Sequence, residues 1–293
     1  MTFSPDSLLP VAIAAALFTS VLCMSATAQQ PAGDDARDLL AKIDQKRLPA
    51  AAATKAPLAI SGTYTVKFAG MPDDQPAAKG DFRYIFVGDA LARLTMDMGG
   101  FGKMEKGMQG DVVWEVDPAM GAKVHRGSHA DASRRYYAWS RGAPVSGLYR
   151  SAQRTGSETV GGIECTVVKL EPKAGTPDVA FVDADGRVHR LDIALPVPES
   201  ADASWDMGDA MPAQITFADW TEVDGVAHPR QRSMVMGPAT VSLVCTELRA
   251  GAPIDSKEFA PPAAIEQARQ APAAAPAFDG DGKPTYQIVE RKA

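Results

Sequence analysis

Alternation of apolar and polar residues runs through most of the chain and predicts a protein built mainly from β-strands. Leu58, Ile60, Gly62, Tyr64, Val66 and Phe68 fall on every second position, the period of a strand with one buried face. Phe82, Tyr84 and Phe86 repeat the pattern, as do Ala92, Leu94, Met96 and Met98, then Val112, Trp114 and Val116. Strands resume near 158–170, 179–183 and 187–193, and 214–223, 230–236 and 240–248 complete the set. Turn residues separate them: Asp117-Pro118 to Gly121, Asp183-Ala184-Asp185-Gly186, and Asp224-Gly225. Two segments carry helical spacing instead. One is 36–48, where acids precede Leu39, Leu40 and Ile43 and Pro49 ends the run. The other is 131–140, which stops before Gly142 and Pro144.

About ten strands with two helices predict an α+β, mainly β fold. Residues 58–259 are expected to form one large curved antiparallel sheet, a half-open barrel, with the helices covering its apolar face. After Phe259 the texture changes. Residues 260–277 are rich in Ala and Pro and read as a linker, and 285–289 is one more strand or a loose tail. No internal repeat is visible.

The N-terminus changes the picture most. Leu8 to Met24 is almost wholly apolar or small, and Ser25-Ala26-Thr27-Ala28 gives a small-x-small cleavage pattern ahead of Gln29. That is the layout of a secretory signal peptide, although its first residues carry Asp6 and no Lys or Arg. The competing reading, a membrane anchor, is weakened by Pro10 and Ser20 inside a run near the lower limit for a span. Lipid attachment at Cys23 is rejected because the bulky Leu22 precedes it. The expected organisation is signal peptide 1–28, one domain 29–260, and tail 261–293, in the periplasm.

The formal charge of −6 argues against a nucleic-acid partner, which wants a basic face. It offers no attraction to an anionic membrane surface either.

Three stretches, in order, resemble the LolA/LolB superfamily and its outer-membrane lipoprotein-sorting relatives. The first runs from Gly156-Ser157-Glu158-Thr159-Val160-Gly161-Gly162 through Leu170 into the hairpin 179–191. It is similar to the family's Gly-x-Glu-x-Val-x-Gly strand-turn-strand and the hairpin that follows. The second, Phe217-Ala218-Asp219-Trp220-Thr221-Glu222-Val223-Asp224-Gly225-Val226-Ala227-His228-Pro229, is similar to an aromatic, Val-Asp-Gly and Pro segment. The third, Pro253-Ile254-Asp255-Ser256-Lys257-Glu258-Phe259-Ala260-Pro261, is similar to the terminal motif that closes the family's sheet. The resemblance implies a half-barrel over helices enclosing an apolar cavity for acyl chains. The tail beyond Pro262 departs from it.

Catalytic signatures are lacking: no Gly-x-Ser-x-Gly elbow, no His-Glu-x-x-His, no phosphate loop. No cofactor is expected. His125 and His129 are four apart, the spacing of a ligand pair on one helix face, but they straddle a loop-to-helix boundary. Asp183-Ala184-Asp185-Gly186 and Asp279-Gly280-Asp281-Gly282 lack the downstream Glu of a calcium loop and read as turns.

The most distinctive stretch is 96–108. Met96, Met98, Met104 and Met108 are spaced among glycines around Phe101. It reads as a hairpin connection whose methionines fill core gaps, as a mobile apolar flap at a cavity mouth, or, least readily, as a copper site. Phe82, Tyr84, Phe86, Leu94, Met96, Met98, Phe101, Met104, Trp114, Phe217 and Trp220 are the candidate ligand-binding residues. Ordinary core burial is their alternative role. Cys165 and Cys245 lie far apart along the meander and are expected as buried thiols.

The expected function is non-catalytic: an exported binding protein holding a lipid or lipoprotein acyl chain. The alternative is a structural or interaction protein of the envelope with the same fold, a filled core and an envelope protein as partner.

Overall fold

A computed structural model describes residues 34–47, 57–72, 78–88, 90–118, 121–141, 143–196, 210–223, 226–251 and 253–270. The leader 1–28, the Asp224-Gly225 turn, the candidate strand 285–289 and the turn at 279–282 lie outside them.

The described residues hold three α-helices and thirteen strands. Helix α1 is Asp34–Arg47, α2 is Gly127–Arg141 and α3 is Ala263–Gln270. The first run of strands is β1 Leu58–Phe68, β2 Ala78–Val87, β3 Leu91–Asp97, β4 Lys103–Gln109, β5 Val112–Asp117 and β6 Gly121–His125. The second is β7 Tyr149–Val160, β8 Ile163–Pro172, β9 Asp178–Val182, β10 Val188–Pro196, β11 Ala210–Val223, β12 Val226–Met236 and β13 Ala239–Ala250.

All thirteen belong to one antiparallel sheet, in the order β6-β5-β4-β3-β2-β1-β13-β12-β11-β10-β9-β8-β7. The chain starts in the middle, meanders out to one edge at β6, crosses through α2 to the other edge at β7, and meanders back until β13 pairs with β1. The expected single antiparallel sheet is therefore present, with three strands more than alternation revealed. Strand β6 is a short edge strand, and in β4 Lys106 interrupts the apolar period. The third is β7, which begins at Tyr149, well before the predicted strand at 158. It turns back through Gly161 and Gly162, whose φ values of 58° and 84° few other residues adopt.

The order of strands also explains the curvature. Helix α2 touches β5, next to one edge, and β10, eight places further along the sheet. Lying flat, those strands would be about 38 Å apart at the usual spacing. A 15-residue helix spans about 22 Å. The helix reaches both strands because the sheet curls around it.

Cross-strand register sorts the side chains into two faces. Val113, Met108, Ala92, Phe86 and Leu58 stand opposite one another across β5 to β1, and α1 and α2 cover this inner face. Two buried clusters fill it. One gathers Leu58, Ile60, Tyr64 and the β2–β4 residues around Ala130 and Tyr137 of α2. The other gathers β7–β11 residues around Ala138 and Trp139 of α2 and Leu40 and Ile43 of α1. Helix α1 is tied in by Asp44, whose carboxylate accepts from the Val145 and Ser146 amides at 2.8 and 2.9 Å.

The stretch 260–277, read as a linker, carries α3 instead, and its Ile265 is fully buried. Residues 256–270 strap the outer face of the sheet. The turn Ser256–Phe259 packs on β3 and β4, and α3 packs on β5 and β6. Arg83 pairs with the Glu258 carboxylate, and Arg93 donates to the Glu258 carbonyl at 2.8 Å. Composition hid this helix because seven of its eight residues are small or polar, and Ile265 alone is a large apolar side chain.

Candidate functional site

Beneath α2 the inner face is lined by aromatic and methionine side chains. Phe82 stands opposite Met96, Tyr84 opposite Leu94 and Phe86 opposite Ala92. All are buried in one cluster, with Met98 and Met104 partly buried at its margin. The Tyr84 and Phe86 rings lie 3.9 Å apart between centroids, and Tyr137 of α2 meets Tyr84 edge-on at 6.1 Å.

The expected flap at 96–108 is a regular β3–β4 hairpin closed by a short turn, Gly99–Phe101. Met96 pairs with Met104 and Ala92 with Met108. Met96 and Met108 are buried core residues. Strand pairing continues through Met104, Lys106 and Met108, Gly99, Gly100 and Gly102 gather at the turn, and Met96 and Met108 act as core filler. Phe101 closes that turn.

Trp114 does not join the other candidates. Its register partners are Gly107, then Arg93, then Ile85, a row on the outer face. There it is buried under the C-terminal strap, with the Arg93 guanidinium 5.7 Å over its ring. It belongs to no inner cavity, because its neighbour Val113 takes the inward position and adjacent strand residues point to opposite faces.

Phe217 and Trp220 pack against the second cluster, with centroids 6.4 Å apart. Asp219 between them has φ 53° and is passed over in the otherwise unshifted β11–β12 pairing, and Trp220 packs on the same cluster as Phe217. Tyr136 packs against both clusters and joins them.

Several polar groups under α2 had no place in the sequence reading. Arg135 and Asp178 form a buried ion pair that Tyr149 joins. On β12, Arg232 stands on the inner face between Phe217 and Leu243 and is 5% exposed. Its Nη2 donates to the Ser140 carbonyl at 2.9 Å. Burial holds the guanidinium below its ordinary value, outweighing the opposing effect of the nearby Tyr136 and Tyr84 phenols. The available signal was an Arg on the same alternate positions as Met234 and Met236.

Two surface grooves lie elsewhere. One of about 590 Å³ runs beside the start of α2, past His125, Arg126, Arg134 and Arg269. Asp131 and Asp111 pair with Arg134 in it. The other, of about 520 Å³, lies on the outer face beside Arg83, Arg93 and Lys103. There Arg93 is held by both oxygens of Glu105 at 2.9 Å. Both grooves are walled by charged pairs and suit no acyl chain.

His125 and His129 stack at 6.0 Å, and His125 lies 3.4 Å from Glu115. No group of three metal-ligating side chains occurs among the described residues. Asp183 accepts from the Asp185 and Arg187 amides, as a turn residue does. The thiols of Cys165 and Cys245 are free and buried, on strands five places apart.

No protein-family profile matches the sequence, and no curated protein matches it. Solved structures do resemble the fold. A domain from Vibrio parahaemolyticus, named for outer-membrane lipoprotein sorting, is similar at TM-score 0.51 and 14% identity, over 77% of this chain and 96% of that one. A LolA superfamily protein from Nitrosomonas europaea is similar at TM-score 0.50 and 14% identity, over 77% and 97%. A DUF1329 family protein from Desulfovibrio piger is similar at TM-score 0.51 and 15% identity, over 76% and 95%. The fold is thus LolA-like. No helix of the described residues is long and apolar enough to cross a membrane.

Proposed function

We propose that this chain is an exported, non-catalytic binding protein that holds a lipid or the acyl chain of a lipoprotein against the inner face of its sheet, beneath α2. The observation that carries the reading is the composition of that face. Phe82, Tyr84, Phe86, Leu94 and Met96 run unbroken to Met98 and Met104 at a partly exposed margin. Unbranched, polarizable methionines adapt to chains of different shape. The LolA-like architecture supports the reading, as does the apolar leader that marks the chain for export. The ligand-lining set is the inner-face candidates, with Phe217 and Trp220 at the far cluster and Trp114 set aside.

A second reading has its own support. The Tyr84–Phe86 contact and the fully buried Ile60, Val168 and Leu191 describe a filled interior. A filled interior suits an interaction protein of the cell envelope.

Mass spectrometry of lipids that co-purify with the periplasmic protein separates the two. Stoichiometric lipid supports the carrier. A fluorescent acyl probe then tests the margin: Met98→Asp and Met104→Asp should weaken binding several-fold with little change in Tm. No lipid and no probe binding would favour the interaction protein. N-terminal sequencing of the same material should begin at Gln29, and an intact leader would contradict export by cleavage.

A further inference from the structure

We propose that Arg232, Tyr84 and Ser140 form a seat for the anionic head of an amphiphile, a carboxylate or a phosphate ester, buried beneath α2. The proposal rests on the acyl-binding reading above and adds the ligand's charge and the place of its head.

Three buried polar atoms under α2 have no hydrogen-bond partner: Arg232 Nε, Tyr84 Oη and Ser140 Oγ. Tyr84 and Ser140 are fully buried. Arg232 neighbours both residues. The Arg232 guanidinium bonds the Ser140 carbonyl at 2.9 Å and lies 5.9 Å from the Tyr84 ring centre. No carboxylate among the described residues pairs with Arg232. Folded interiors satisfy nearly all their buried polar atoms, and a buried cation without a counter-charge is costly. A cluster of three open groups, one of them charged, marks a partner the chain itself does not supply.

A purely structural role explains only part of this. Ser140 is next to last in α2, at the negative end of the helix dipole, where a cation caps carbonyls favourably. That accounts for the Nη2 bond. It leaves Nε and both hydroxyls open.

The chemistry selects the partner. A guanidinium donates only, and both hydroxyls can donate. The group that satisfies all three accepts several hydrogen bonds at once, as a carboxylate or phosphate does. The surroundings select an amphiphile: Phe217, Leu243, Phe86 and Met234 share the inner face with Arg232.

The test is displacement of a fluorescent acyl probe from the full mature protein at pH 8 by palmitate, hexadecyl phosphate and hexadecanol. Wild type should favour one of the acids over the alcohol by about tenfold or more, the ratio a charge-assisted hydrogen bond gives. The tighter acid identifies the head as carboxylate or phosphate. In Arg232→Met the preference should vanish. Tyr84→Phe removes only an unbonded hydroxyl, so Tm should hold while the preference falls several-fold. A capping role alone would leave Tyr84→Phe unchanged in preference, which overturns the seat even if Arg232→Met fails to fold. Equal displacement by acid and alcohol in wild type also overturns the seat and leaves the acyl-binding reading standing. No displacement by any of the three removes both.

Discussion

The Arg135 guanidinium of α2 donates from Nε to Asp178 Oδ2 at 2.8 Å and from Nη2 to Oδ1 at 3.3 Å, and neither side chain is more than 4% exposed. The Tyr149 hydroxyl donates to the same carboxylate at 2.7 Å and accepts from Trp139 Nε1 at 2.8 Å. Burial pushes the Asp178 carboxyl up, against the pull of Arg135 and Tyr149. This chain of bonds locks the edge-to-edge helix onto β7 and β9 at one orientation. Asp178→Leu should therefore cost about 3–5 kcal/mol, because it strands the Arg135 charge. Adding Arg135→Met should recover much of that loss. Urea denaturation of both single variants and the double variant measures it. Simple additivity would show that the pair does not couple.

Glu115 predicts the acid limb of stability. Burial alone would raise its carboxyl, but the hydrogen bond from His125 and the charge and bond of Lys106 outweigh it and hold it at about 2, below the ordinary 4.5. A depressed carboxyl stabilises the fold fully above 4.5, and that stabilisation is lost as pH falls from 4.5 toward 2. Glu115→Gln should lower stability by roughly 2–3 kcal/mol at neutral pH. It should also flatten the pH dependence in that window, as read from Tm measured between pH 2 and 6. An unchanged acid limb would contradict the assignment.

Trp114 and Gly107 form a lock on the outer face. A Cβ at Gly107 would run into the Trp114 ring. Gly107→Ala should thus destabilise by about 1–3 kcal/mol through overpacking, although alanine normally stabilises a strand relative to glycine. Trp114→Ala should cost about 3–5 kcal/mol. The milder Trp114→Phe should leave acyl-probe affinity unchanged while lowering Tm. Weakened probe binding in Trp114→Phe would place this ring at the ligand after all.

Helix α3 is expected to be part of the folding unit. Ile265 is fully buried, and Phe259 is 1% exposed. Ile265→Ala should cost about 2–5 kcal/mol, and a chain ending at Pro262 should lose a similar amount. A truncated chain as stable as the full one in chemical denaturation would reduce the strap to decoration.

The methionine stretch shows how far reading along the chain reaches. Alternation placed Phe82, Tyr84, Phe86, Leu94 and Met96 on one face, and the register of β2 and β3 agrees. The glycines beside Met98 and Phe101 pointed to looseness, yet they serve a two-strand hairpin, because a partner on either side of β3 and β4 supplies every ladder bond.

Trp114 shows the opposite failure. Alternation predicts its strand and sets Val112, Trp114 and Val116 on one face, with Trp114 a candidate for the ligand side. Val113 is the buried inner residue, because the strap 256–270 makes the outer face of this half apolar too.

What the sequence by itself determined is what depends on near neighbours: the period-two strands, the two larger helices, the turn at Asp183, the apolar leader, and thereby the LolA-like class. These follow from backbone geometry and side-chain spacing within a few residues. What only the tertiary structure decided depends on residues far apart in sequence. It set the strand order in which β1 meets β13, and the curl that lets α2 reach both β5 and β10. It also set the sheet face each aromatic shares, and the meeting of Arg232 with Ser140, 92 positions earlier. An arginine's neighbours in the chain say nothing about whether a helix will be laid across it. Only folding brings the helix there, and only then does its charge become a buried one in search of a partner.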